Sequence, residues 1–320
     1  GVLLQHIKEL HLHCDINPND KIFYFTTCGW MMWNWLISSL GVGSSIVLYD
    51  GNPFYPKSDS LLEIMNDIDI DVFGTSAKYI STLEFLSVKP NNFGFSSLKS
   101  ILSTGSTLSS DNYEYIYKSW KKDVQLSSIS GGTDIISCFA LGNPTLPVYK
   151  NELQCIGLGM SVKSYNDAMI HQLNNKGELV CDKPFPSMPI GFWNDADGSK
   201  YQEAYFDDFE RVWTHGDYIE MTANGGAIIY GRSDTTLNPG GVRIGTAEIY
   251  RAVENMEQIV DAVVVGRPNE GDVDVVLCVK LTKGTDFDEK LESDIRGLIR
   301  SATTPRHVPK YIFEVDDIPY

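Results

Sequence analysis

At 320 residues the chain exceeds what one hydrophobic core usually holds, and 42% apolar with 21% charged residues is the balance of a folded, not a disordered, protein. Its 42 acidic against 26 basic side chains give a formal charge of −16, which repels nucleic acid and anionic membrane faces. Nucleotide phosphates stay within reach of such a chain, because local backbone N–H groups and a few arginines hold them.

The first residues read as the middle of a helix, with neither an initiator methionine nor a signal peptide, as expected of a fragment. Residues 22–49 carry no charge and are long enough to cross a bilayer. Gly29, Asn34, Gly41, Gly43 and two serine pairs break that run, so a buried strand, helix, strand succession is expected and no membrane insertion. Strands are expected at 22–26, 45–49, near Val72, at 99–103 and at 124–129, with helices at 30–40, 61–67, 77–88 and 109–120 between them. That alternation predicts an α/β fold with a parallel sheet and flanking helices.

From 152 to 230 the helical periodicity fades, and short pieces such as 177–181 between Gly, Pro, Asn and Asp clusters predict a small antiparallel or β-barrel-like subdomain. Apolar runs at 260–265 and 273–281, an amphipathic helix at 286–300 and a strand at 311–315 predict a compact C-terminal α+β domain. The expected division is a large domain over 1–232, split into an α/β part at 1–150 and a β part at 151–232, and a truncated small domain over 233–320. Six scattered cysteines, Cys14, Cys28, Cys138, Cys155, Cys181 and Cys278, form no C-x-x-C pair and read as reduced thiols of a cytosolic protein.

Ligands of parallel α/β sheets gather beyond the carboxyl ends of the strands. Two turns sit there, Ser103-Thr104-Gly105-Ser106 and Ser130-Gly131-Gly132-Thr133-Asp134. Paired glycines let a backbone approach an anion, a hydroxyl donates to a phosphoryl oxygen, and a carboxylate can take Mg2+. Trp213-Thr214-His215-Gly216-Asp217 offers a carboxylate suited to two ribose hydroxyls. Taken singly, each of these is equally an ordinary turn. More specific is the stretch from Gly231 to Ile249, where Arg232 and Arg243 bracket a glycine-rich bend and Glu248 follows beside a helix start. Arginine gives bidentate, permanently charged phosphate recognition.

In their order and spacing these three motifs resemble those of the superfamily of acyl-CoA synthetases, luciferases and peptide-synthetase adenylation domains. The segments TTCGWMMWNWLISSLGVGSSIVLYD at 26–50, ILSTG at 101–105, ISGGTDIISC at 129–138 and RHVP at 306–309 further resemble the acetoacetyl-CoA synthetase family within it. The likeness runs essentially end to end. It implies the adenylate-forming fold lacking its N-terminal part, with ATP and Mg2+ as cofactors and CoA as co-substrate. It implies conversion of acetoacetate and CoA to acetoacetyl-CoA, AMP and pyrophosphate through an acyl-adenylate.

Residue by residue, the resemblance implies that Gly105, Ser106 and Thr107 line the adenine, that Gly132 is among the nucleotide-binding residues and that Thr133 meets the α-phosphate. Asp134 stands where a Mg2+-binding glutamate is usual, one methylene short. Asp217 would grip the ribose, Arg232 the ribose and phosphate edge, and Arg243 the adenylate phosphate. Asp234 falls at the hinge, and Gly241 and Arg300 near CoA. Trp30, Met31, Met32, Thr104 and Gly131 would shape the acid pocket, where glycine replaces the tryptophan of acetyl-CoA synthetases and makes room for a longer acid. A simple packing glycine is the other reading of Gly131. The phosphate-gripping loop and the adenylating lysine of the family fall outside residues 1–320, so these residues alone are expected to adenylate poorly or not at all. Two alternatives stay open: an acetyl- or other short-chain acyl-CoA synthetase, and a non-catalytic nucleotide- or CoA-binding relative. Oligomeric state is not legible.

Overall fold

A computed structural model describes residues 1–233, 237, 239, 244–254, 256–269 and 272–318, with the side chain of residue 272 left out. Contacts divide the chain into two units, Gly1–His215 with Glu220–Ile229, and Gly216–Ile219 with Tyr230–Tyr320. The division therefore leaves a four-residue piece of one strand in the second unit.

The first unit is built on five parallel strands in the order β2-β1-β3-β4-β5. These are β1 (Lys21–Tyr24), β2 (Ser45–Val47), β3 (Val72–Ser76), β4 (Ser100–Thr104) and β5 (Gln125–Ser128). Successive side chains of a strand point to opposite faces, and here both faces are apolar. Phe23, Phe73 and Ile101 pack with Leu61, Leu62, Ile80 and Trp120 on one side. Ile22, Tyr24, Val72 and Leu102 pack with Leu10, Met32, Trp35 and Leu36 on the other. A parallel sheet needs this double cover, which is why β1 and β3 carry adjacent apolar residues, with small buried serines filling β4 and β5.

The helices supplying that cover are α1 (Val2–Lys8, continued by a π-helical turn Glu9–His13), α2 (Met31–Ser38), α3 (Ser60–Asp67), α4 (Ala77–Phe85) and α5 (Ser110–Tyr115, with a π turn Ile116–Trp120). Serine side chains start two of them: Ser76 accepts from the N–H of Tyr79 and Ser109 from that of Asn112, each at 3.2 Å. The uncharged stretch 22–49 is β1, α2 and β2, and no helix among the described residues is long and apolar enough to cross a membrane. Its helix is shorter than the expected 30–40, because Trp30 is the extended N-cap residue and Gly43, at φ 89°, closes the following 3-10 turn.

Two further sheets complete this part of the chain. β6 (Ser130–Gly132), β7 (Ser137–Leu141) and β8 (Cys155–Ile156) form an antiparallel sheet. β9 (Val162–Tyr165), β10 (Lys176–Cys181), β11 (Trp213–Met221) and β12 (Ala227–Arg232) form another, in the order β12-β11-β10-β9. Within 152–230, where helical periodicity fades, the strands are accompanied by one short helix, α6 (Ser199–Phe206). Its partly buried Tyr201, Tyr205 and Phe206 pack on Phe192 and Trp213 while no residue of it is fully buried, and Asp195 starts it by accepting from the N–H groups of Lys200 and Tyr201 at 3.1 and 2.9 Å.

In the second unit β13 (Ile259–Asn269) pairs antiparallel with β14 (Asp272–Leu281), and β14 parallel with β15 (Tyr311–Glu314). Helices α7 (Thr246–Val253) and α8 (Glu289–Ala302) pack Ile249, Val253, Leu291, Ile295 and Ile299 onto Leu277 and Val279.

Candidate active site

At the carboxyl edge of the parallel sheet, β4 delivers Thr104 and then Gly105, whose φ of 92° favours glycine. Thr104 Oγ1 donates to the carbonyl of Ile129 at 2.8 Å, tying this turn to the segment that enters β6. Trp30 stands edge-on to Tyr24, at 6.1 Å and 76°, and its ring lies 3.6 Å from where a Cβ of Gly105 would be. The structure thus brings Trp30, Thr104 and Gly105 together, with Ser106 exposed and Thr107 half-buried beyond them. Met31 and Met32, at 9% and 2% exposure, are packed into the core behind Trp30.

The segment expected as a turn at 130–134 is a short strand, β6, followed by the turn that exposes Thr133 and Asp134. Its glycines are there for close approach. A Cβ at Gly131 would sit 2.0 Å from the Ser137 carbonyl oxygen, so no side chain fits while β6 pairs with β7. Backbone packing therefore accounts for Gly131, and the room-for-acid reading is not needed to explain it. A Cβ at Gly132 would sit 2.4 Å from Cε1 of His215, a buried ring edge-on to Phe139 at 4.7 Å.

Behind β7 lies a buried carboxylate. Glu9, fully buried in the π-helical turn, accepts from Ser137 Oγ at 2.5 Å, Trp35 Nε1 at 2.9 Å, Gln5 Nε2 at 3.0 Å and the Cys138 N–H at 3.3 Å. Lys8 Nζ is 3.7 Å away. Glu9 thereby fixes the strand against which Gly131 packs. Burial raises the thiols of Cys14 and Cys138 well above their usual range, so neither is a nucleophile at neutral pH. All six cysteines are free thiols.

Asp134 accepts a hydrogen bond from the phenol of Tyr205 on α6, and that ring stacks on Trp213 at 3.7 Å and 13°. Among the described residues no group of three or more His, Cys, Asp or Glu could hold a metal. A single exposed carboxylate is a poor cage for a resident ion. It does suit Mg2+ arriving on ATP, an ion that uses one or two protein carboxylates together with substrate phosphates.

In the second unit Asp217 and Arg232 meet. Arg232 Nη1 is 3.6 Å from Asp217 Oδ1, and the guanidinium crosses Gly216, where a Cβ would lie 2.5 Å from Nη2. Gly216 has φ 80°, and its carbonyl accepts from the Ser233 N–H at 2.7 Å. Asp217 is 12% exposed at its side chain and Arg232 49%, so the ion pair itself adds only ~0–1 kcal/mol. Its consequence is positional: a near-buried carboxylate held beside a solvent-facing cation. Arg300 is exposed in the last turn of α8. Asp234, Gly241 and Arg243 lie outside the described residues.

Sequence reasoning missed Glu9, Tyr205 and His215. His215 sits inside a quoted motif, yet the contact that matters is with Gly132, 83 residues earlier by numbering.

No protein-family model matches the chain. It is 52% identical over 320 residues to acetoacetyl-coenzyme A synthetase of Rhizobium meliloti (strain 1021), covering 100% of this chain and 49% of that one. It is 48% identical over 323 residues to acetoacetyl-CoA synthetase of Gallus gallus, covering 100% and 48%. The solved acetoacetyl-CoA synthetase from Streptomyces lividans superposes with a TM-score of 0.93 at 42% identity, over 99% of this chain and 49% of that one. The chain spans about half the length of the curated relatives it matches. Matched along its whole length at this identity and superposition, it belongs to the acetoacetyl-CoA synthetase family of adenylate-forming enzymes.

Proposed function

We propose that the full-length protein is an ATP-dependent acid–thiol ligase that joins acetoacetate to CoA, acting on small molecules in the cytosol. The pairing of Asp217 with Arg232 over Gly216 carries this reading, since it sets a near-buried acceptor for vicinal hydroxyls beside a cation for the adjoining phosphate.

In the first step a carboxylate oxygen of acetoacetate attacks the α-phosphorus of ATP in line, the α–β bridging bond breaks and pyrophosphate leaves. Thr133 would donate to the α-phosphate, and Asp134 would take the Mg2+ that accompanies ATP and offsets its charge. Gly105, Ser106 and Thr107 would border the adenine, and Arg243 would hold the adenylate phosphate. In the second step the CoA sulfur attacks the carbonyl carbon of the mixed anhydride, the carbon–oxygen bond to AMP breaks and the thiol proton passes to solvent. On this reading 1–232 belongs to the nucleotide domain. The small domain, 233–320, turns about Asp234 between the steps, with Gly241 and Arg300 on the CoA side. Trp30 and Thr104 would bound the acid, with Met31 and Met32 supporting Trp30 from the core and Gly131 contributing only backbone.

The test is ATP–pyrophosphate exchange by the full-length protein with acetoacetate, acetate and longer short-chain acids. Acetoacetate is expected to give the highest kcat/KM. Asp217→Asn is expected to weaken ATP and AMP binding together by about tenfold or more, the loss of a charge-assisted pair of hydrogen bonds. Exchange that prefers acetate, or an unaltered nucleotide affinity in Asp217→Asn, overturns the proposal.

A further inference from the structure

Asp134 is exposed and could sample several rotamers, yet one of its oxygens is claimed. Oδ2 accepts from the Tyr205 phenol, and Oδ1 of this exposed carboxylate is the oxygen that bond does not use. The phenol is itself constrained. Its ring lies face to face with the buried indole of Trp213 at 3.7 Å and 13°, and edge-on to Phe192 at 5.9 Å and Tyr201 at 6.0 Å. Tyr201 in turn donates from its hydroxyl to the Pro189 carbonyl at 2.6 Å, and Asp195 pins the first turn of α6. The same aromatic cluster takes in the rest of the α6 face, with Phe206 edge-on to Trp213 at 6.0 Å and Tyr201 edge-on to Phe192 at 5.4 Å, so the helix is held by its rings although none of its residues is fully buried. The outcome is a fixed O–H donor aimed at a side chain 71 positions away.

We infer that Tyr205 is a positioning residue that fixes the carboxylate of Asp134 so that Oδ1 is presented to the Mg2+ of the bound nucleotide. The inference rests on the proposed role of Asp134 and adds to it. A side chain one methylene shorter than glutamate reaches its ion in fewer geometries, and a donor on its second oxygen selects one of them. Orientation held in advance lowers the ordering cost when the ligand arrives. The phenol touches no reacting atom, and its action is on metal-dependent affinity alone.

Binding to the full-length protein is measured by calorimetry with three probes: ATP with saturating Mg2+, ATP with EDTA, and AMP. Tyr205→Phe keeps the stacked ring and removes the donor. It is expected to weaken MgATP binding about three- to tenfold, to leave metal-free ATP and AMP within twofold of wild type, and to raise the Mg2+ concentration for half-maximal binding. Asp134→Asn is expected to lose at least as much MgATP affinity, and Tyr205→Phe placed on top of it to change nothing further. Wild-type MgATP binding by Tyr205→Phe, with a loss in Asp134→Asn, overturns the inference and leaves the role of Asp134 standing. Equal losses for AMP and MgATP in Tyr205→Phe reveal a merely structural role and overturn it too. Unaltered MgATP binding in Asp134→Asn overturns the reading of Asp134 and this inference with it.

Discussion

Replacing Glu9 by alanine removes the common acceptor of four donors in a region shut off from water. Among the described residues, two of those donors give their hydrogen to Glu9 alone: the indole N–H of Trp35, at 0% exposure, and the hydroxyl of Ser137, also at 0%. Gln5 Nε2 retains Ser137 Oγ at 2.8 Å as an acceptor. An orphaned buried donor costs about 1–3 kcal/mol, so two of them amount to roughly 2–6 kcal/mol before any cavity is counted. Set against a typical domain stability of about 5–15 kcal/mol, that is a large fraction. Glu9→Gln keeps the shape and one acceptor oxygen but turns an NH2 toward a donor, which costs about 1–3 kcal/mol. The expected order of stability is wild type, Glu9→Gln, Glu9→Ala. Urea unfolding followed by far-UV circular dichroism reads the differences from the midpoints. A Glu9→Ala variant within about 1 kcal/mol of wild type refutes the account, because it means that Trp35 and Ser137 find other acceptors.

Gly132→Ala directs a methyl group onto His215, a ring hemmed by Phe139 at 4.7 Å and Trp213 at 6.5 Å. The imidazole has little freedom to retreat, so a loss of about 1–3 kcal/mol in thermal unfolding is expected, together with weaker MgATP binding as Thr133 and Asp134 shift. His13 governs an acid-sensitive contact: its Nδ1 donates to the Gly142 carbonyl at 2.8 Å while Nε2 accepts from the Leu158 N–H at 3.0 Å, a pattern that needs the neutral ring. Burial holds its pKa below the ordinary 6.5. The unfolded chain therefore takes up the proton first as pH drops, so stability present above about 6.5 is lost as pH falls through the lowered folded value. Unfolding midpoints compared between pH 7.5 and pH 5 should fall more steeply for wild type than for His13→Asn, and parallel slopes refute the assignment.

Much of the first unit is legible because burial on two faces leaves a strong trace. Phe23 and Ile22 face different cores, and so do Phe73 and Val72, which makes adjacent positions at the centre of those strands apolar, while Lys21, Thr75 and Ser76 stand at their ends. The three-stranded sheet of β6, β7 and β8 leaves no such trace. Ser130-Gly131-Gly132 has the composition of a turn, and only the opposite strand makes it a strand. The same holds for the end of β13, where Arg267, Pro268 and Asn269 extend the pairing past the apolar run that announces it. Strand identity at such places is a property of the partner, and no local window contains the partner.

The site divides along the same line. Motifs carried by contiguous residues are readable because a few positions hold the chemistry, in a turn for Thr133-Asp134 and along strand β11 for His215-Gly216-Asp217. What orients them is not contiguous: Tyr205 reaches Asp134 across 71 positions, and Glu9 reaches Ser137 across 128. Gly131 shows how the two kinds of information can be confused. From sequence, the absence of a side chain suggests space for a ligand, whereas 2.0 Å to a carbonyl oxygen shows space already filled by β7. A glycine that admits substrate and a glycine that admits backbone look alike in one dimension, and the direction of the missing Cβ separates them. By that criterion Gly105, whose missing Cβ faces the Trp30 ring at an ordinary van der Waals distance of 3.6 Å, retains tolerance for change that Gly131 and Gly132 lack in packing, though its φ of 92° still favours glycine. Beside Gly105 stand the Trp30 ring and Thr104, whose hydroxyl is tied to the Ile129 carbonyl, so a change at Gly105 is felt by those two residues and one at Gly131 by the β7 backbone.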